Sequence, residues 1–230
     1  MDATTIVFII VIGLVIACLL WWIEHKRQEA RREAYRVWAQ LHNWSYDFHR
    51  DRETYRYYSF LNRLQQGANR YAFDILEGTW GGYPAEAFNF HYETYSTSSS
   101  GYGSTTTTHH HYFGVVIIQI ERSFPELMIF PQNLFGKIGS ALGFGGIEFE
   151  SVEFSNNFTV RCSNKKFAWD FCHPRMMDYL LSGGDIFLEL EDNILVLYKM
   201  RGKMKPDEVE EYLIELCELR KLMPEYLFRI

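Results

Sequence analysis

The sequence has few cysteines and no arrangement of them that suggests a covalent framework. Its 230 residues include four cysteines, and no two of them form a C-x-x-C pair. One of the four, Cys18, lies in an apolar N-terminal run, so an odd number remains for the rest of the chain. This excludes a disulfide scaffold, and we expect reduced thiols that pack as small hydrophobic side chains.

Positive charge is also scarce, and the common phosphate-binding motifs are missing. Lys and Arg number 23 against 29 Asp and Glu, which gives a formal net charge of -6. Nucleic-acid-binding domains usually carry a basic face and a high pI, so nucleic acid is not an expected partner. Neither the GxxxxGK[ST] order nor a GxGxxG that opens a helix occurs, so the sequence predicts no nucleotide cofactor.

An uninterrupted apolar run is present close to the N-terminus. Residues 5–22, TIVFIIVIGLVIACLLWW, contain no charged side chain. As a helix they would extend over roughly 27 Å, close to the thickness of the hydrocarbon layer of a bilayer. Trp21 and Trp22 end the run, at the place where an aromatic belt would meet the membrane surface. The pattern predicts a transmembrane helix in contact with the lipid bilayer.

The charges on either side of this run predict its orientation. Residues 1–4 contain no Lys or Arg, whereas Lys26, Arg27, Arg31 and Arg32 follow the run. Because basic residues accumulate on the cytoplasmic side, we expect a short extracytoplasmic N-terminus and a cytoplasmic C-terminal domain. The sequence thus predicts a single-pass, signal-anchored membrane protein, whose interface consists of the two tryptophans and these four basic residues.

A lipoprotein signal is the alternative interpretation of the same run. The order Val-Ile-Ala-Cys at 15–18 has the form that lipid attachment uses. Cleavage before Cys18 would leave an apolar start where lipoprotein tethers are normally polar, and no basic segment precedes the run. The transmembrane helix is therefore the preferred interpretation.

A basic helix is predicted directly after the apolar run. Residues 23–42 contain no Gly or Pro and are rich in strong helix formers. Its apolar stripe consists of Ala30, Ala34, Val37, Trp38 and Leu41. We expect this juxtamembrane helix to continue the membrane helix as one rod.

The remaining residues, 43–230, predict one α+β domain with a mainly antiparallel sheet and packed helices. Alternating apolar residues predict strands over 69–77 and 85–94, joined by a glycine-rich turn at 78–82. In the second strand Phe88, Phe90 and Tyr92 lie opposite Ala87, Asn89, His91 and Glu93. A third run, 112–121, is apolar on both faces and predicts a central strand.

The C-terminal part continues the mixture of strands and helices. A helix is expected over 165–183 with an interruption at Pro174. Residues 186–200 predict a hairpin with its turn at Asp192 and Asn193. A last helix is expected to begin at Pro206, because proline is favoured in the first helical turn.

A polar segment, STSSSGYGSTTTTHHH at 96–111, separates two of the predicted strands. Its position and composition predict a mobile hairpin loop. Consecutive side chains of an extended chain point to opposite faces, so His109 and His111 are the pair able to share a metal ion. No Cys or carboxylate lies nearby at ligand spacing. Because ten of the sixteen residues are Ser or Thr, a segment that binds a partner or is phosphorylated remains an alternative.

The order of these elements resembles that of a group of uncharacterised bacterial single-pass membrane-anchored proteins. The resemblance rests on the glycine-rich turn at 76–83, the polar loop, and the segments FPELMIFPQ at 124–132 and FGGIEFES at 144–151. It implies a bacterial inner-membrane location, and it implies no catalytic residues.

Taken together, these patterns favour a non-catalytic binding or scaffolding module with a protein partner. The alternative is a metal-assisted hydrolase that uses the loop histidines. An enzyme should have a concave pocket in which polar side chains converge, whereas a binding module should present a charged or apolar surface. The sequence does not predict the oligomeric state.

Overall fold

The fold was obtained as a computed structural model. It describes residues 3–100, 103–134, 146–184 and 186–229, and at 3–7, 9, 100 and 134 it describes the backbone alone.

One antiparallel sheet forms the centre of the fold. Its strands are β1 (Ser45–Asp47), β2 (Ala68–Trp80), β3 (Tyr83–Ser100), β4 (Gly103–Pro131), β5 (Phe158–Cys162) and β6 (Leu188–Lys199). Strands β1 to β4 follow one another across the sheet, and β4 also pairs with β5 and β6. Strand β4 is therefore central, as the apolar pattern of 112–121 predicted.

In the described residues, α-helices lie before, between and after these strands. They are α1 (Ala3–His42), α2 (Glu53–Tyr57), α3 (Val152–Asn157), α4 (Lys165–Phe171), α5 (Pro174–Gly183) and α6 (Pro206–Leu222). Both α5 and α6 begin with proline, which has no N–H to leave unpaired in a first turn. The predicted interruption at Pro174 is confirmed, and so is the α+β class with an antiparallel sheet and packed helices.

The sheet has an apolar core on each face, and β4 contributes to both. Val116 and Ile118 belong to the larger core, which lies on the side of α1 and the C-terminal helices. Val115 and Ile117 face the other way, into a smaller core covered by the segment 53–65. Because side chains alternate along a strand, burial of both faces requires the continuous apolar run that this strand has.

Helix α1 packs its second half on the sheet. Its buried residues there are Tyr35, Trp38 and Ala39. The buried face of α1 therefore differs from the predicted apolar stripe, in which Val37 is 45% and Leu41 75% exposed. The cause is a tertiary contact: the Trp38 ring lies 5.3 Å from that of Trp44, edge to face, and 6.3 Å from that of Trp80.

The predicted membrane span is contradicted by the structure. Among the residues that it describes, no helix has both the length and the apolar character that crossing a bilayer requires. Residues 5–22 are instead the first part of α1, which continues to His42 and carries charged side chains from Glu24 onward. Of that run, the side chains of 5–7 and 9 lie outside the described residues. The single-pass, signal-anchored inner-membrane location is corrected together with the span on which it depended.

The predicted hairpin at 186–200 is also wrong. Strand β6 passes through Asp192 and Asn193 without reversing, and it pairs with β4 on both sides of them. Asp192 adopts a positive φ of 54° at a shift in register. The residues that favour a tight turn therefore lie within a continuous strand, opposite extra residues of β4, and pairing with β4 continues on both sides of them.

The segment 96–111 differs from the open loop that its composition predicted. Strands β3 and β4 remain paired up to Ser100 and Gly103, so the hairpin itself is present but nearly all of the segment is strand. Ladder hydrogen bonds between the two strands satisfy its backbone, which composition alone does not reveal.

Candidate functional site

A groove lies where the second half of α1 meets the sheet. Its volume is about 380 Å³. The walls come from α1, the turn after β1, the strands β2 and β4, and the loop before α6. Four cationic side chains line it, Arg31, Arg32, Arg50 and Lys203, with the aromatic rings Phe48, Tyr71, Phe73 and Tyr112 and the side chains of Gln28 and His49. We call it the cationic groove.

Aromatic rings support two of the arginines in this groove. The guanidinium carbon of Arg32 lies 4.5 Å from the ring centre of Phe48. That of Arg50 lies 4.8 Å from the ring centre of Tyr71. The ring face attracts the cation electrostatically, and it leaves the N–H groups on the edge of the guanidinium free to donate hydrogen bonds.

A buried carboxylate fixes the third arginine. Asp74 is 1% exposed, and its Oδ2 lies 3.0 Å from Nη1 of Arg31. The Tyr46 hydroxyl donates to Asp74 Oδ1 at 3.0 Å, and the Asn89 amide approaches Oδ2 at 3.4 Å. Burial raises the pKa of Asp74, whereas Arg31 acts in the opposite direction. The pair ties α1 to β2 beside the groove.

The loop that carries Lys203 is attached to the same network. The Tyr35 hydroxyl donates to the Met204 carbonyl at 2.7 Å, and the Met204 N–H donates to Oδ1 of Asn89 at 2.6 Å. The Asn89 amide in turn donates to the Tyr35 hydroxyl at 3.1 Å. All three residues are buried, so the loop next to the groove is held in one position.

Positive charge exceeds negative charge in the cationic groove. In the part of the chain that the structure describes, Arg32, Arg50 and Lys203 form no ion pair with a carboxylate, and Arg32 Nε is buried without a hydrogen-bond partner. Desolvation and then repulsion from Arg31 lower the pKa of Lys203. The arrangement therefore suits an anion, which would accept hydrogen bonds and relieve the crowding of cations.

A group able to hold a metal ion lies beside the groove. It consists of His91 and Glu93 on β3 and His110 on β4, whose nearest ligand atoms all lie within 4.8 Å of one another. The His91 ring stacks on Tyr71 at 4.4 Å and lies 5.0 Å from Tyr112. The two tyrosines of the groove wall thus separate it from the three ligand groups.

The two histidines that the sequence singled out are elsewhere. His109 Nε2 lies 2.8 Å from the Ser96 hydroxyl, and His111 Nε2 lies 2.8 Å from that of Thr94. Both point to the face of the hairpin opposite His110. Among the described residues the structure groups His110 with ligands on β3, and it does not bring His109 and His111 into that group.

The residues predicted to meet a membrane fall into two groups. Exposed on the surface of α1 are Trp21, Trp22, Lys26 and Arg27. Arg31 and Arg32 instead line the cationic groove, where Asp74 and the ring of Phe48 hold them. These two arginines are therefore part of the folded domain.

Comparison with known proteins gives one similar structure. No protein-family model and no curated protein sequence matches the chain. The crystal structure of the mycobacterial trehalose monomycolate transport factor A, TtfA, is similar, with a TM-score of 0.52 and 11% sequence identity. The match covers 84% of this chain and 96% of that chain. At this identity the similarity shows the fold alone.

The sequence analysis did not identify two of the four cations of the groove, Arg50 and Lys203. It also missed two of the three residues of the ligand group, His91 and Glu93. Arg50 and Lys203 lie more than 150 positions apart in the sequence and meet only through the sheet. A usable signal was present for Asp74, a single acidic residue in the apolar run YAFDIL. A carboxylate at such a position needs a buried partner, which here is Arg31.

Proposed function

We propose that this chain is a non-catalytic binding module, and that its cationic groove receives an acidic group of a partner protein. The observation that carries the proposal is the set of three cationic side chains, Arg32, Arg50 and Lys203, that form no close ion pair with a carboxylate among the described residues. A carboxylate or phosphate of the partner would complete their hydrogen bonds.

The site is organised before a ligand arrives, which favours binding. The rings of Phe48 and Tyr71 hold two of the guanidinium groups, and the buried network of Asp74 and Asn89 fixes the surrounding elements. Long side chains held in this way lose less conformational entropy when an anion binds.

The charge of the whole chain contributes to selectivity. The formal net charge is -6, so the chain as a whole repels an acidic partner, whereas the cationic groove attracts it. Such local complementarity directs the orientation of a complex more than it increases the affinity. The groove is also small, with room for one or two acidic side chains rather than for a long polymer.

The structural neighbour supports an accessory role. The protein with the similar fold is named a transport factor for trehalose monomycolate, and a factor of this kind assists a process without being named as its enzyme. Only the fold is shared at 11% identity, so the choice of an acidic protein group rests on the groove.

Peptide binding tests the proposal. The probe is a fluorescent peptide of about eight residues rich in Asp and Glu, measured by anisotropy against its Asn and Gln isostere. We expect Arg32→Gln, Arg50→Gln and Lys203→Gln each to weaken binding of the acidic peptide about threefold to tenfold. The matched control is Lys166→Gln, which removes an exposed cation of α4 outside the groove.

The salt dependence provides a second readout. Binding to the wild-type groove should weaken as ionic strength rises, because added ions screen exposed charges. The triple variant should have lost most of this dependence. Equal affinity for the acidic peptide and its isostere, or an equal loss in Lys166→Gln, would overturn the proposal.

A further inference from the structure

A second site lies next to the groove, on the same face of the β3–β4 hairpin. We propose that His91, Glu93 and His110 bind a zinc ion. The three ligand atoms form a triangle: His91 Nε2 to His110 Nδ1 is 3.0 Å, His110 Nδ1 to Glu93 Oε1 is 3.4 Å, and His91 Nε2 to Glu93 Oε1 is 4.0 Å. In a tetrahedral zinc site with bonds of about 2.0–2.2 Å, ligand atoms lie about 3.3–3.6 Å apart.

A contact with the backbone holds the proton of His91 on Nδ1, which leaves Nε2 able to bind a metal ion. Its Nδ1 lies 3.1 Å from the carbonyl oxygen of Asn69. A carbonyl only accepts, so Nδ1 carries the proton and the lone pair of Nε2 points into the triangle. His91 is 1% exposed, and desolvation lowers its pKa. The free nitrogen of this buried imidazole is therefore directed at the site.

The carboxylate is held as firmly as the imidazole. Glu93 Oε1 accepts a hydrogen bond from the side-chain amide of Asn69 at 2.7 Å, and Oε2 accepts one from the Tyr95 hydroxyl at 2.9 Å. These two hydrogen bonds lower the pKa of Glu93. An ionised carboxylate is the form that binds a metal ion, and Oε1 keeps a lone pair for it.

One residue thus orients both ligands on β3. Asn69 uses its main-chain oxygen for His91 and its side chain for Glu93. It adopts a positive φ of 46°, at a shift in the register between β2 and β3. Residues of this conformation are uncommon and concentrate at binding sites. Carbonyls and amides that position ligands in this way are typical of metal sites.

The exposure of the third ligand, His110, allows a metal ion to enter and leave the site. The His110 side chain is 53% exposed, so an ion can reach the triangle from solvent. Three protein ligands fill three of four tetrahedral positions, and water takes the fourth. Without an ion, His110 would donate from Nδ1 to His91 Nε2. Zinc binding requires His110 to carry its proton on Nε2 instead, a change of tautomer that an exposed imidazole makes freely.

Metal titration of the full chain tests this site. The chain is stripped with EDTA and titrated with zinc chloride at neutral pH, in competition with a chromogenic chelator. We expect saturable uptake of one ion per chain. Loss of a residue that only supports a metal ligand typically weakens binding about 10–100-fold. His110→Ala and Glu93→Gln remove ligands themselves, so each should weaken zinc binding by at least this factor. Cobalt should give the intense visible absorption of a tetrahedral site, which these variants lose.

The hairpin offers matched controls. His109→Ala and His111→Ala remove imidazoles adjacent to His110 that point to the other face, and both variants should bind zinc like the wild type. Asn69→Gly keeps the positive φ but removes the amide that orients Glu93, so we expect affinity to fall about 10–100-fold. Circular dichroism serves as the check that each variant is folded.

Two outcomes would overturn the zinc site. One is an apo chain that takes up no zinc at saturating metal. The other is a loss in His109→Ala or His111→Ala as large as the loss in His110→Ala, since this would indicate non-specific chelation by the histidine run. Neither outcome affects the peptide-binding test, because Arg32, Arg50 and Lys203 contribute no ligand atom to the triangle.

Discussion

The carboxyl group of Glu86 is expected to make the stability of the domain depend on pH. Glu86 lies on β3, and its Oε2 accepts a hydrogen bond from the Tyr58 hydroxyl at 2.8 Å. Burial raises its pKa from 4.5 to about 7, with further contributions from Glu77 and Asp51, and the Tyr58 hydrogen bond offsets only part of this. The other carboxylate oxygen, Oε1, is buried without a hydrogen-bond partner among the described residues.

The direction of the effect follows from proton binding. Between pH 4.5 and about 7 the folded chain holds a proton on Glu86 that the unfolded chain has released. The free energy of unfolding therefore falls as the pH rises through this window, and it levels off above it. The difference between the two pKa values corresponds to about 3 kcal/mol, most of which is lost between about pH 5 and pH 8.

The variant Glu86→Gln removes this titration. We measure the unfolding free energy of the variant minus that of the wild type by urea titration at about pH 5 and at about pH 8. We expect this difference to rise by about 2 to 3 kcal/mol between the two pH values. Contributions of titrating groups that do not interact with Glu86 are common to both proteins and cancel in this difference. The matched control is Glu211→Gln, which changes an exposed carboxylate of α6. The reasoning would be refuted if the difference in unfolding free energy between Glu86→Gln and the wild type were the same at both pH values.

Three further substitutions or reactions probe other contacts. Asp74→Ala leaves Arg31 without its carboxylate partner and should lower the free energy of unfolding by about 3–5 kcal/mol in a urea titration. Gly78→Ala places a Cβ 2.5 Å from the ring of Trp44, so we expect a loss of about 1–3 kcal/mol and a lower Tm. Burial raises the pKa of Cys172, and its thiol should react with a thiol reagent only after denaturant is added. Wild-type stability in either variant, or rapid labelling in native buffer, would contradict the corresponding contact.

Much of the fold could be predicted because its patterns are local. The two-faced apolar run of 112–121 identified the central strand, Pro174 marked an interruption in the helical region, and Pro206 marked the start of α6. These signals depend on the geometry of single elements, which the sequence carries directly. The α+β class follows from the order of such elements.

Two of the errors arose where a contact with a distant part of the chain overrode a local pattern. Asp192 and Asn193 favour a turn, but pairing with β4 keeps β6 continuous. The apolar N-terminal run predicted a membrane span, and no helix of the described residues qualifies as one. The buried face of α1 is set by the rings of Trp44 and Trp80, which no periodicity within the helix reveals.

The sequence by itself determined the class of the domain, its central strand, the interruption at Pro174 and the helix start at Pro206, because hydrophobic period and proline act within a few residues. Only the tertiary structure decided the sites. The register of β3 with β4 places His110 opposite Glu93 and turns His109 and His111 away, and the packing of α1 brings Arg32 to Arg50 and Lys203. A shift of one residue in that register would reverse the face of every side chain, and spacing along the chain does not encode it.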